Sequence, residues 1–356
     1  SRQGDIVNSQ VWYVAQPVSN YSYKGYTKFV KDFKNRLPML YVGGNDGMLH
    51  GFSAENGAEK IAYIPKGIIK NLPELTKPTY QHMYFVDGSP FSGDVDRSSG
   101  TTPDWRTLLV GTLGAGGKGY FILDVTKPGS PTSTIEGAVD NSFSKGNAST
   151  LVVLDKTAHK DETFATNAVE RDIGHIFAQP VVDDTSPHFT NQIARLNNGR
   201  WAVVMGNGYN STNERPVLLI QYLSGSDTSL KIIPAAAVGS TNAVSNGLSA
   251  PRLVDINGDG APDVAYAGDL RGNLWKFDIS SGNADEWGVA FGGSPLHIAQ
   301  YAGGGGSTSL QPIMAPPIVK ANDRGARGLM VAYGTGRSLT QGDRTDTSKQ
   351  TIYSIL

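Results

Sequence analysis

The chain has 356 residues, a net charge of −1 and no cysteine. A disulfide framework and thiolate metal sites are therefore excluded, and no basic cluster argues for nucleic acid or an anionic membrane surface. Charged residues make up only 18 %, while 43 glycines and 19 prolines are spread along the sequence, which points to a folded β-rich protein with many turns.

The opening SRQGDIVNS has neither an initiator Met nor an apolar core, so a fragment or processed product without its signal peptide is expected. No apolar run reaches the length of a membrane span. The first clear pattern is MLYVGGNDGMLHGFSAENGAEKIAYIP, residues 39–65. Strands are expected at 39–42, 48–52 and 60–64, separated by Asn-Asp-Gly and Glu-Asn-Gly turns that tolerate positive φ. Residues 66–83 hold a short helix signal broken by Pro73 and Pro78. The strand–glycine turn–strand grammar returns at 105–129, 200–226, 263–283 and 327–339 with 350–356. Residues 157–170 suggest a second short helix, and Gly303–Gly306 a loop.

A recurring unit of roughly 40–50 residues with about four strands is the signature of a β-propeller. The lead-in runs IFAQPVVDD (176–184), LSAPRLVDI (248–256) and IMAPPIVKA (313–321) share small residues and a proline before a Val-rich stretch, as innermost strands do. Five copies are clear, and QVWYVAQPV at 10–18 supplies a sixth or completes another by ring closure. No linker divides two compositions, so residues 1–356 are expected to form a single all-β domain with a few short helices and long loops.

The stretch with chemistry is DINGDGAPDV, 255–264. Asp255, Asn257, Asp259 and Asp263 stand at positions 1, 3, 5 and 9 of a loop, with Gly260 at the sharp turn and the Ala261 carbonyl at position 7. All donors are hard oxygens, which favours Ca²⁺ over zinc or copper. Position 12 is Tyr266 rather than an EF-hand Glu, and VAYAG reads as a strand rather than an exiting helix. The competing reading is a hairpin turn whose Asp side chains cap backbone amides. GTLGAGGKGY, 111–120, is not a phosphate loop: Thr112 and Gly119 stand where the pattern needs Gly and Ser/Thr. Asp87, Asp94 and Asp96 in DGSPFSGDVD read as a polar loop, and the six histidines show no metal spacing. No nucleophile elbow occurs, and no catalytic residue is assigned.

VGGNDGMLHGF (42–52), GHIFAQPVV (174–182), VDINGDGAPDVAYAGDLRGNLWKFD (254–278), YGTGR (333–337) and the opening GDIVNS (4–9) together resemble the C-terminal domain of the PilY/PilC family, the type IV pilus biogenesis factors and tip adhesins. The resemblance spans essentially the whole sequence. It implies a modified propeller of about seven blades, a C-terminal part of a longer protein, and a calcium loop on Asp255, Asn257, Asp259, Ala261 and Asp263. It further implies a non-enzymatic role in pilus extension against retraction, twitching motility and adhesion, at the cell surface on the pilus after transit through periplasm or outer membrane. Pilin, minor pilins and a host or abiotic surface are the implied partners. No Arg-Gly-Asp tripeptide occurs. The alternative is a propeller of the PQQ-dependent quinoprotein dehydrogenase type, which also binds calcium.

Overall fold

The structure is a computed structural model and describes residues 4–129, 143–162, 167–177, 179–183, 186–225, 227–302, 308–322 and 328–356. The expected Gly303–Gly306 loop lies outside the described residues.

The protein divides into two compact units. The first comprises residues 1–165, 175–193 and 222–229 and holds two four-stranded sheets. Sheet one runs β1 (Trp12–Val14), β2 (Met39–Gly43), β3 (Leu49–Ser53), β4 (Glu59–Tyr63). Sheet two runs β5 (Phe91–Asp96), β6 (Trp105–Thr112), β7 (Gly117–Asp124), β8 (Val152–His159). A short pair, β9 (Val182–Asp183) and β10 (Ser186–Thr190), follows. Each four-stranded sheet is an antiparallel meander in sequence order, and in sheet one the Asn-Asp-Gly and Glu-Asn-Gly turns return β3 and β4 beside their predecessors. In the first such turn Gly47 has φ +95°, a left-handed conformation that a side chain would resist. Strands β6 and β7 are buried along nearly their whole length, as their continuous apolar runs TLLVGT and GYFILD require.

The second unit holds almost all of sheet three and the whole of the remaining sheets. Sheet three runs β11 (Ile193–Arg195), β12 (Trp201–Gly206), β13 (Val217–Tyr222), β14 (Leu230–Pro234). Sheet four runs β15 (Arg252–Val254), β16 (Val264–Gly268), β17 (Asn273–Asp278), β18 (Gly288–Val289), with β19 (His297–Ile298) also on β17. After the hairpin β20 (Gln300–Ala302) and β21 (Thr308–Leu310) comes a three-stranded sheet of β22 (Ile318–Ala321), β23 (Leu329–Gly334) and β24 (Ile352–Ile355). Val264, Tyr266 and Leu274 of sheet four pack with Ala299, Ile313, Val331 and Tyr333 into one apolar cluster. Each such burial contributes about 1.5–3 kcal/mol for a side chain of this size, so the cluster fixes sheet four, and with it the loop between β15 and β16.

The hairpins expected from 39–65, 105–129, 200–226, 263–283 and 327–356 all form. Residues 10–18 supply β1 and complete sheet one. The proline-containing lead-ins form strands only beyond their prolines, at Val182, Arg252 and Ile318, since proline has no N–H for the ladder. Residues 66–76 form the expected short helix as a 3₁₀ segment around Pro73, ending before Pro78 restricts Lys77 to extended backbone. The second expected helix does not form at its start: Thr157 and Ala158 belong to β8 and pair with Gly119 and Lys118. The open edge of β7 there outweighs a weak helix signal. Asp94 and Asp96 belong to strand β5 rather than to a polar loop, and Asp87 and Asp94 are buried. One helix that the sequence reading missed, α1 (Tyr26–Asp32), buries Tyr26 and Phe29, spaced i, i+3 on one face.

Candidate metal centre

Val254 of β15 and Val264 of β16 are directly paired, so residues 255–263 leave and return at one point of the sheet. Asp263 N–H donates to the Val254 carbonyl at 2.9 Å and Ile279 N–H to the Asp263 carbonyl at 2.9 Å, which closes the base of the loop on β15 and the end of β17. Above this base the backbone curls by hydrogen bonds from its own amides. Gly258 N–H donates to Asp255 Oδ1 at 2.7 Å and Gly260 N–H to Asp255 Oδ2 at 2.8 Å. Asp259 N–H donates to Asn257 Oδ1 at 2.9 Å, and Ala261 N–H to Asp259 Oδ1 at 2.9 Å. Ile256 N–H donates to Asp263 Oδ2 at 2.8 Å, tying the start of the loop to its end. Gly258 and Gly260 have φ of +80° and +89°, the left-handed backbone that this curl needs.

Residues 255–260 are exposed, whereas Ala261 and Asp263 are buried at the sheet. The loop therefore has a fixed foot and an open tip. The five expected positions all lie in this one loop, and the following VAYAG is strand β16, as expected. The side-chain oxygens face backbone amides, which is the geometry of the competing turn reading. It also leaves lone pairs available, since a carboxylate offers about four acceptor sites and Asp255, Asp259 and Asp263 accept two, one and three bonds. Among the described residues no three His, Cys, Asp or Glu side chains are gathered into a metal-holding group. The donor chemistry, oxygen throughout and carrying three carboxylates, fits a hard divalent cation and no softer one.

Asn197, on the turn between β11 and β12, was not singled out by the sequence. Its Nδ2 donates to the Pro262 carbonyl at 2.9 Å and to the Ile279 carbonyl at 3.0 Å. In sequence, Asn197-Asn198-Gly199 is indistinguishable from any hairpin turn, so no local signal marked it. Among the described side chains, His175 meets the Gly114 carbonyl at 2.7 Å and His159 meets Asn71 Oδ1 at 2.8 Å, both ordinary hydrogen-bond partners. GTLGAGGKGY is the β6–β7 turn, as expected.

A family profile described as the PilY1 beta-propeller domain matches residues 3–356. The protein belongs to the PilY1 β-propeller domain family. Its fold is accordingly of the all-β propeller type, built from the antiparallel meanders above. The type IV pilus biogenesis factor PilY1 of Pseudomonas aeruginosa PAO1 is 37 % identical over 383 aligned residues, covering 99 % of the present sequence and 28 % of the relative. A PilY1 homolog of Xylella fastidiosa Temecula1 is 34 % identical, covering 99 % of the present sequence and 24 % of the relative. The crystal structure of the Pseudomonas aeruginosa PilY1 C-terminal domain aligns with a TM-score of 0.69 at 33 % identity, over 96 % of the present protein and 63 % of that one. The protein thus spans about a quarter of the length of these curated PilY1 relatives. No helix among the described residues is long and apolar enough to cross a membrane.

Proposed function

We propose that this domain acts in type IV pilus biogenesis as a non-catalytic binding module whose loop 255–263 holds a calcium ion. The observation that carries the reading is the 37 % identity, along 99 % of the sequence, to a type IV pilus biogenesis factor. In this reading Asp255, Asn257, Asp259 and Asp263 hold the ion through side-chain oxygens and Ala261 through its carbonyl. A bound calcium supplies two positive charges that offset repulsion among three carboxylates. The protein's own residues do the rest. The closed base keeps Asp263 and the Ala261 carbonyl in place, while the exposed tip carrying Asp255, Asn257 and Asp259 swings its oxygens from amides toward the ion. Calcium occupancy thereby sets the shape of one sheet edge, and that edge meets pilin or minor pilins. The whole protein then works at the pilus on the cell surface, favouring extension over retraction and supporting twitching and attachment to host or abiotic surfaces.

The test is complementation of a strain lacking its pilus biogenesis factor with the full-length protein, native or carrying Asp255→Ala or Asp259→Ala. Surface pilus counts and twitching zones are recorded, and pilus components are captured on the purified protein with and without chelator. Native protein restores pili and both variants reduce them, with capture lost in chelator. Failure of the native protein to restore pili sinks the biogenesis role. Full restoration by variants that bind no calcium sinks only the link to the loop.

A further inference from the structure

The first unit contains a cleft of about 360 Å³, none of whose lining residues belongs to the loop 255–263. Its apolar wall is Val14, Pro17, Val18, Pro38 and Phe189. Lys34 and Arg36, from the segment between α1 and β2, and Asp94 of β5 add charge to it.

Arg36 is held firmly. Its Nε donates to the Ala15 carbonyl at 2.7 Å, its Nη2 donates to the same carbonyl, and its Nη1 donates to Thr107 Oγ1 at 2.7 Å. A guanidinium has five N–H donors, so two are left without a partner among the described residues. Asp94 does not neutralise it directly. Thr107 Oγ1 donates to Asp94 Oδ1 at 2.7 Å, and Tyr26 OH donates to Asp94 Oδ2 at 2.7 Å, so the carboxylate is occupied by hydroxyl groups. Lys34 is exposed and makes no hydrogen bond or ion pair among the described residues. Burial pushes the Arg36 guanidinium below its ordinary value while the Asp94 charge pulls it back up.

Two cations and one anion leave one positive charge, on groups with open donors, beside an apolar wall. A monoanion with an apolar body balances both, and the volume lies at the lower end of small-ligand sites. We propose that this cleft binds a carboxylate carried on a small apolar group, Lys34 and Arg36 taking the carboxylate and the wall taking the apolar part. Arg36 is pre-oriented by Ala15 and Thr107, so little ordering is required on binding. A free branched-chain acid and the C-terminus of an apolar peptide present the same chemistry.

The test is calorimetric titration of this protein with isovalerate, with N-acetyl-Gly-Val-Val bearing a free C-terminal carboxylate, and with its C-terminal amide. At least one acid binds, about tenfold or more tighter than the amide. Lys34→Ala weakens that binding severalfold with unchanged thermal unfolding, and Arg36→Lys weakens it further. Because Arg36 also holds Ala15, Lys34→Ala carries the test if Arg36→Lys unfolds. Tighter binding of the peptide assigns the site to a polypeptide C-terminus, and tighter binding of isovalerate to a free acid. No binding of either acid, equal binding of the amide, tighter binding of inorganic phosphate, or full affinity in Lys34→Ala overturns the proposal.

Discussion

Asn197 and Asp263, 66 residues apart in sequence, meet at the foot of the loop, with Asn197 Nδ2 at 3.5 Å from Asp263 Oδ1. The same carboxamide nitrogen holds the Pro262 and Ile279 carbonyls, so one side chain joins the β11–β12 turn, the loop and the end of β17. Asn197→Ala leaves two carbonyls without this donor and frees the foot of the loop, at a cost of about 1–3 kcal/mol. In the proposed reading the same variant lowers calcium affinity while retaining some binding, because it removes no ligand. Calcium titration beside urea unfolding checks both. Native affinity together with native stability would remove Asn197 from any role in the loop.

Direct removal of donors behaves differently. Asp255→Ala takes away the acceptor for both Gly258 and Gly260 amides, and Asp259→Ala takes away that for Ala261. Both abolish calcium binding in the proposed reading and leave far-UV circular dichroism unchanged, since the tip is exposed and outside the cores. Calcium at a hundredfold excess over Kd raises native stability by about 2.7 kcal/mol. Neither variant gains it. A native protein whose melting temperature ignores both calcium and chelator would refute the site.

In the turn between β16 and β17, Asp269 is fully buried and accepts from Asn246 Nδ2 at 3.0 Å, Asn273 Nδ2 at 2.8 Å and Trp275 Nε1 at 2.8 Å. Asp269→Ala strands these donors and destabilises the protein by about 3 kcal/mol or more. Urea unfolding followed by tryptophan emission measures this. A shift below about 1 kcal/mol would show that water replaces the carboxylate.

At the first hairpin, His50 lies between two carboxylates, its Nε2 3.0 Å from Asp46 Oδ2 and its Nδ1 2.5 Å from Glu59 Oε1. The hydrogen bond with Asp46 raises the imidazole above its ordinary value against the effect of burial, and Glu59 adds to it. A raised folded value means this stabilisation is fully present below the unfolded imidazole value of about 6.5 and is lost as pH rises through the folded value. His50→Gln therefore flattens the fall in stability on the alkaline side of about pH 6.5. Urea midpoints measured across that range in both proteins decide it; parallel curves would contradict the assignment.

The sequence by itself determined the features whose physics is local. Alternating and continuous apolar runs marked the strands, and Asn-Gly and Asp-Gly pairs marked the turns between them, because both patterns act within a few residues. The spacing 255, 257, 259, 263 fell within one loop for the same reason. Tertiary structure alone decided what depends on distant partners. Asp94 reads as a loop residue in sequence and becomes a buried acceptor only because Tyr26, 68 residues earlier, and Thr107 reach it. Residues 157–159 carry a weak helix signal yet complete β8, because β7 presents an unpaired ladder of backbone groups that must find partners. Asn197 holds the loop across 65 residues of sequence, and Arg36 finds the Ala15 carbonyl across 21. Such contacts depend on where the folded backbone brings two groups together, and neither group's neighbours in sequence carry any trace of the other.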